Sequence, residues 1–166
     1  MLRPILALAL LTAPLSALAE ERCIVCAGGG AARDERPLNI EITSNLEFSR
    51  MALTGQAEGH AEIDAQSGSR RIGGGLVGLG GLTMQGRARI TGAPMRPVRI
   101  DFPLSIPMTT TGGGRAELTD LSTNLPPFPV LDANGVLEFA FGGRLKVTGA
   151  GGGTFRARIP ISVDYN

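Results

Sequence analysis

The amino-acid sequence predicts an all-β fold, a sandwich or barrel of antiparallel strands, on three observations. The chain contains 24 Gly and 11 Pro residues, a composition that favours turns and short strands over helices. No long stretch outside the N-terminus places apolar residues at the spacing of a helical face. Short runs rich in β-branched residues instead alternate with turn signals along the chain, which is typical of sandwiches and barrels.

The candidate strands share an alternation of apolar and polar positions. In chain order they are 38–42, 46–53, 60–64, 69–72, 84–91, 98–102, 104–108, 115–118, 136–141, 144–147 and 154–165. The glycine-rich residues 73–81 lack the motif of a phosphate-binding loop, so we expect a flexible crossing or a strand pair with close backbone approach. Together these elements predict one domain with a single core, residues 37–166.

Local sequence predicts how the strands are connected. Asp132, Asn134 and Gly135 combine side chains that bond their own backbone with a glycine that tolerates positive φ, so they predict a hairpin turn. Residues 66–69 predict a second hairpin tip. Residues 124–129 contain three prolines and are not expected in a central strand. We interpret them as an extended crossover of the kind that Greek-key sandwiches need.

The C-terminal residues carry the clearest strand pattern. Apolar and polar positions alternate from residue 154 to residue 165, which predicts one long, half-buried strand that begins after Gly153. Pro160 removes one ladder donor and therefore favours an edge position or a bulge. The candidate assembly site consists of Gly153 at the start of this strand and the apolar residues Phe155, Ile159, Ile161, Val163 and Tyr165.

The N-terminus predicts export. Arg3 supplies a positive charge, an apolar run follows it, and Ala17-Leu18-Ala19 has the small residues of a cleavage site, so residues 1–19 are interpreted as a signal peptide. The run is too short for a membrane-spanning helix and meets charged residues at once. We therefore expect a protein with no membrane span after cleavage, in the periplasm, at the outer surface or outside a Gram-negative cell.

Residues 20–36 are expected to form a flexible tail rich in Gly and Ala. The tail contains both cysteines of the chain, Cys23 and Cys26. In an exported protein a local disulfide between them is the default expectation. Intermolecular pairing, redox chemistry and metal binding stay open as alternatives.

Composition and motifs argue against an enzyme or a nucleic-acid-binding protein. The chain has 16 basic and 15 acidic residues, so loss of Arg3 with the signal leaves it formally neutral, and no basic patch with aromatic residues is visible. His60 shares a predicted strand face with Glu58, Glu62 and Asp64, which we interpret as a solvated face. No serine stands in a nucleophile elbow. No cofactor, metal or nucleic acid is expected.

Motifs spread over most of the chain form a recognisable set: Arg36-Pro37-Leu38, Leu46-x-Phe48-Ser49, Ile90-Thr91-Gly92, Leu131-Asp132-x-Asn134-Gly135, Phe141-Gly142-Gly143-Arg144-Leu145 and Gly153-x-Phe155-x-x-x-Ile159-x-Ile161-x-Val163-x-Tyr165. In this set the chain resembles a bacterial family of secreted, glycine-rich β proteins classed as domain of unknown function 4402. Its ending is also similar to archaic chaperone-usher pilins and spore-coat-type proteins. The resemblance implies an immunoglobulin-like or pilin-like antiparallel β-sandwich, a surface or pilus role, and no catalytic residues.

Three functions are carried forward as hypotheses. The first is a non-enzymatic cell-envelope or surface protein with a structural or adhesive role. The second is a pilus subunit assembled by strand exchange, whose C-terminal strand pairs with a second copy or a periplasmic chaperone. The third is a periplasmic ligand-binding module that uses loops at one end of the sandwich. The aromatic content of 4% argues against a sugar-stacking site in this third case.

Overall fold

The computed structural model of the chain describes residues 36–55, 58–109, 114–149 and 152–166. These residues contain twelve strands and no helix, so the predicted all-β fold is confirmed. The predicted signal peptide, 1–19, and nearly all of the predicted tail, 20–36, lie outside them. The strands are β1 (Asn39–Ser44), β2 (Leu46–Leu53), β3 (Glu58–Ile63), β4 (Arg70–Gly74), β5 (Leu76–Gly78), β6 (Gly86–Thr91), β7 (Val98–Asp101), β8 (Ser105–Thr109), β9 (Arg115–Thr123), β10 (Val136–Thr148), β11 (Gly152–Ala157) and β12 (Ser162–Tyr165).

All strand pairs are antiparallel and form three sheets. The main sheet has seven strands, in the order β1-β6-β10-β3-β4, with β9 also paired to β10 and β8 paired to β9. The second sheet has the order β11-β2-β5, and the third consists of β12 and β7. This arrangement is compatible with the expected immunoglobulin-like sandwich, which stays a prediction.

The longest strand, β10, connects the two halves of the main sheet. Along one edge, residues 136–141 pair with β6 and residues 143–148 pair with β3. Along the other edge, β9 pairs with residues 141–142 and 144–148. The sequence predicted two separate strands here because two glycines interrupt the pattern. This was wrong, since both glycines continue the strand in close contact with its neighbours. A Cβ on Gly142 would lie 2.1 Å from the carbonyl oxygen of Ile63.

The glycine-rich residues 73–81 are a crossing from the main sheet to the β11-β2-β5 sheet rather than a strand pair. β4 ends at Gly74, and β5 then pairs with β2. The close backbone approach that the sequence predicted is present, because a Cβ on Gly59 would lie 2.6 Å from the backbone nitrogen of Leu76. Leu76 is itself buried. The segment therefore contributes to the core through one side chain and exposes most of the others.

The predicted turns are formed by short-range hydrogen bonds that aspartate carboxylates accept. The Asp132 carboxylate accepts hydrogen bonds from the backbone N–H groups of Asn134 (2.9 Å) and Val136 (2.7 Å). The Asp64 carboxylate accepts hydrogen bonds from the hydroxyl and the N–H of Ser67, both at 2.7 Å. The hydrogen bond from Val136 lowers the pKa of the Asp132 carboxyl below its ordinary value. The pKa of Asp64 is lowered in the same way, and the hydrogen bond from the Ser67 hydroxyl is the largest cause.

Apolar side chains from the inner sides of the strands form one core. The main sheet and the β11-β2-β5 sheet supply most of it, and its largest fully buried side chains are Phe48, Phe141 and Phe155. Phe141 lies in tilted contact with Phe139 and Phe102, with ring centroids 6.2 and 6.1 Å apart. The other buried members are Leu46, Met51, Ala61, Ile63, Leu76, Ala88, Ile90, Val98, Ala116, Leu118, Leu131, Leu145, Val147 and Ile159.

Gly86 provides the test of this packing. It lies opposite Phe141 in the ladder, and a Cβ there would lie 2.0 Å from Cε2 of the buried ring. Because core rings have little room to shift, we expect Gly86→Ala to lower the free energy of unfolding by about 2 kcal/mol, measured by urea denaturation. The matched control is Gly78→Ala, where the nearest atom is the mobile Nη2 of Arg70 at 3.2 Å. Equal effects of the two substitutions would contradict this account.

Candidate functional site

The C-terminal residues form two strands rather than one. β11 pairs with β2, and β12 pairs with β7 in a different sheet. The expectation of one continuous strand over 154–165 was therefore wrong. The break covers residues 158–161 and contains Pro160, which has no backbone N–H to continue a ladder. The chain crosses from one sheet to another at this point.

The alternation of apolar and polar positions survives the break. Gly153 pairs with Met51, and Phe155 is buried opposite Ser49. Ile159 is buried as well, although it lies in the break between the strands. The side chains of Ile161, Val163 and Tyr165 are half-buried, and the polar residues between them are exposed. The two-residue pattern thus predicted which side chains face the core, but not that β11 and β12 belong to different sheets.

Tyr165 fastens the C-terminus to two other parts of the chain. Its hydroxyl accepts a hydrogen bond from the N–H of Ala93 at 2.7 Å and donates one to the carbonyl oxygen of Arg36. The guanidinium of Arg96 lies 5.3 Å from the ring centroid, within the range of a cation–π contact. Gly92 leaves the space for this hydroxyl, because a Cβ there would lie 2.6 Å from it. The C-terminal strand therefore holds the start of the described chain in place.

β11 lies at an edge of its sheet. Its partner is β2, and no described residue pairs with its outer edge. Hydrogen bonds of the neighbouring strand β2 show which way the backbone groups of β11 point. Both backbone groups of Arg50 in β2 face the β5 side, where they bond to Leu79 and Gly80. Backbone groups alternate along a strand. The backbone groups of the next residue, Met51, therefore face Gly153 of β11. The residue after Gly153, Thr154, then points its N–H and C=O away from the sheet.

A second open edge lies on β7. The N–H of Val98 donates to the carbonyl oxygen of Pro129 at 3.0 Å, on the side opposite β12. Two residues further on, Ile100 presents its backbone groups on that same side. Here the chain borders a groove of about 490 Å³ in place of a paired strand. Its apolar lining includes Phe102, Leu121, Leu125 and residues 126–129.

The predicted polar face around His60 is a set of surface ion pairs. Arg144 lies 2.9 Å from Glu62 and 3.4 Å from Asp120, and Lys146 lies 3.6 Å from Glu58. The hydrogen bond and the negative charge of Glu62 raise the pKa of Arg144 above its ordinary value. The imidazole covers Gly73, where a Cβ would meet its Cε1 at 2.6 Å. The burial of the strand confirms the interpretation as a solvated face.

Cys23 and Cys26 lie outside the described residues, so their predicted disulfide is untested. Among the residues that the structure describes, no group of three or more His, Cys, Asp or Glu side chains has the arrangement of a metal site. The same residues include no helix long and apolar enough to cross a membrane.

Sequence reasoning expected an edge position or a bulge for the C-terminal strand at Pro160, but it missed the open edge of β7 and the groove. The pairing of a strand depends on distant residues, so the pattern of β11 alone could not show that its outer edge lacks a partner. The groove had one local signal, the run of prolines at 126–129, which was interpreted as a crossover. In the structure this run forms no strand. The next residue, Val130, makes a single bridge to Pro97.

The described chain is thus an antiparallel all-β domain with open strand edges on β11 and β7. It belongs to the family described as domain of unknown function DUF4402, whose match covers residues 38–165. The family resemblance inferred from the sequence is confirmed, while similarity to pilins stays a prediction. Neither the comparison with curated proteins nor the comparison with solved structures gave a significant match.

The hydroxyl of Tyr165 offers a direct test of the C-terminal attachment. Tyr165→Phe keeps the ring and removes one hydrogen bond to each of Ala93 and Arg36, so we expect the free energy of unfolding to fall by about 1–2 kcal/mol in urea denaturation. Ser162→Ala, an exposed change on the same strand, is the control and should stay within about 0.5 kcal/mol. A Tyr165→Phe protein as stable as the control would show that the hydroxyl does not fasten the chain.

Proposed function

We propose that this chain is a non-enzymatic protein of the cell envelope or cell surface with a structural or adhesive role, exported by the signal peptide predicted at residues 1–19. The observation that supports this most is the open outer edge of β11. Unpaired backbone donors and acceptors at a sheet edge recognise another extended polypeptide by strand addition. The proposed partner is therefore a protein, either a second copy of the chain or a periplasmic chaperone.

The surface of the main sheet supports a role in binding rather than in catalysis. The charged groups beside His60 are neutralised in pairs, between Arg144 and Glu62 and between Lys146 and Glu58. Such exposed pairs contribute little to stability, but they keep a broad strand face soluble. We therefore assign this face to solvation rather than to proton transfer.

The open edge of β11 lies next to a buried core residue, so a strand added there could extend the sheet that covers the core. Phe155 of β11 is fully buried, whereas Thr154 and Arg156 on either side are exposed. A strand that bonds to the edge at Thr154 would lie beside Phe155 and could cover the same side of the core. Apolar residues at alternate positions of the partner would then gain burial, as in other cases of strand addition.

The first experiment is size-exclusion chromatography with light scattering on the protein exported to an oxidising periplasm, followed by a thermal melt. Concentration-dependent oligomers would support strand addition between copies. A monomer that melts reversibly and stays monomeric at high concentration would rule out self-addition. Turnover of a substrate by the purified protein would contradict the non-enzymatic role.

Thr154→Pro tests the edge itself. Proline removes the outward N–H of this residue, which has no partner in the described chain, so we expect oligomers to be lost while the melting temperature changes little. Thr154→Ala keeps the N–H and is the matched control, which should assemble as the natural chain does. If Thr154→Pro and Thr154→Ala assemble equally, the outer edge of β11 is not the binding site.

We also propose a more specific form of this role, a pilus subunit assembled by strand exchange. The observation that favours it is that both C-terminal strands, β11 and β12, have a partner strand on one side only within the described residues. The strand donor in this case is the N-terminal tail of another copy. Deletion of residues 20–36 should therefore abolish polymers seen by electron microscopy, and polymers that survive the deletion would exclude this form.

A further inference from the structure

Residues 77–84, here called the leucine-glycine segment, hold apolar side chains in solvent. Gly80 and Gly81 have φ angles of 94° and 100°, which glycine adopts readily and which let the chain turn between Leu79 and Leu82. No charged residue interrupts the segment. The exposed fractions of its apolar side chains are 38% for Val77, 56% for Leu79, 77% for Leu82 and 44% for Met84.

The backbone of the segment is bonded to β2 around residues 77–80 and at Met84, whereas residues 81–83 make no backbone hydrogen bond with the described chain. The N–H of Leu79 donates to the carbonyl oxygen of Arg50 at 2.8 Å, and the N–H of Arg50 donates to Gly80 at 3.3 Å. Met84 exchanges two hydrogen bonds with Glu47, each of 3.0 Å. The bonded residues combine apolar side chains with a paired backbone, which suits a non-polar medium, where unpaired backbone groups are costly. They offer little to strand addition.

Arginines lie at the base of the segment. Arg50 and Arg156 line a recess of about 290 Å³ together with Leu79 and Leu82. Arg156 is paired with Glu47 at 3.0 Å, whereas Arg50 has no carboxylate partner among the residues described. Nη2 of Arg70 would lie 3.2 Å from a Cβ on Gly78, and Nη1 of Arg70 bonds to Ser49 and Phe48 rather than to an acid. The surroundings of the exposed leucines therefore carry a net positive charge.

We propose that the leucine-glycine segment docks the domain onto a lipid surface with anionic headgroups. Leu79 and Leu82 enter the apolar layer, and Arg50 and Arg70 face the negatively charged headgroups. Apolar side chains combined with arginines at their base are the two features that hold proteins at an anionic lipid interface. The inference goes beyond the proposed function, because it uses apolar and basic side chains rather than the backbone edge of β11, and a different class of partner.

Tryptophan fluorescence tests the docking without an added dye. The chain contains no Trp, so Leu82→Trp introduces a single reporter on the segment. Leu104→Trp is the matched control, since Leu104 is 96% exposed but lies at the start of β8. The full gene product is expressed for export, and mass spectrometry fixes its N-terminus before use.

Vesicles of phosphatidylcholine with phosphatidylglycerol should shift the emission of the Leu82→Trp protein to the blue, and brominated lipid should quench it. Vesicles of phosphatidylcholine alone, and the Leu104→Trp protein, should give neither change. An unchanged emission at position 82, the same shift at both positions, or equal binding to neutral vesicles would overturn the proposal. Circular dichroism confirms that both variants are folded.

A charge variant tests the second half of the proposal. In the Leu82→Trp background, Arg50→Gln should weaken binding to the anionic vesicles about fivefold, as expected for one arginine at an anionic surface. Arg115→Gln removes an exposed arginine from β9 and should leave binding unchanged. Equal losses from the two substitutions would show that net charge alone, not this segment, drives the association.

Discussion

The architecture depends on β10 running unbroken between two halves of the main sheet. This requires that Gly142 and Gly143 carry no side chain. A Cβ on Gly142 would meet the carbonyl oxygen of Ile63, and one on Gly143 would lie 3.0 Å from Leu121. The absence of side chains lets β3 and β9 approach the second half of β10 closely while β6 pairs with the first half. The buried ring of Phe141 lies immediately before this junction and covers Gly86 across the ladder.

Much of the fold could be read from the sequence because its signals are local. The alternation of exposed and buried residues in β3 and β6 is the burial pattern of a strand with one face on the core. The turn at Asp132 was predictable because its side chain bonds its own backbone within four residues. Glycines were the main source of error. In β10 they allow close packing, although the same residue type usually marks a break in a strand.

The candidate site could be predicted only in part, because an open edge is defined by strands that are far apart in the sequence. The inward-facing side of the C-terminal residues followed from their period, and Phe155 and Ile159 are buried as expected. The period does not reveal the change of partner at Pro160, from β2 to β7. The role of Tyr165 was also hidden. Its partners Ala93 and Arg36 lie 72 and 129 residues away, respectively.

The edge strands of the molecule differ in how well they are protected against pairing with another chain. In β8, Pro107 removes a backbone donor, and in β1 the ladder shifts register between Ile42 and Ser44. β11 contains no proline, and its protection consists of a register shift after Phe155 and the exposed charge of Arg156. Its glycines at 152 and 153 add no side chain that would obstruct an approaching strand. An unprotected edge exposes a protein to aggregation. The weak protection of β11 is therefore an argument for the proposed partner strand that covers it. The same reasoning separates β11 from the leucine-glycine segment, whose backbone is bonded to β2 on both sides of residues 81–83 and whose exposed groups are apolar side chains.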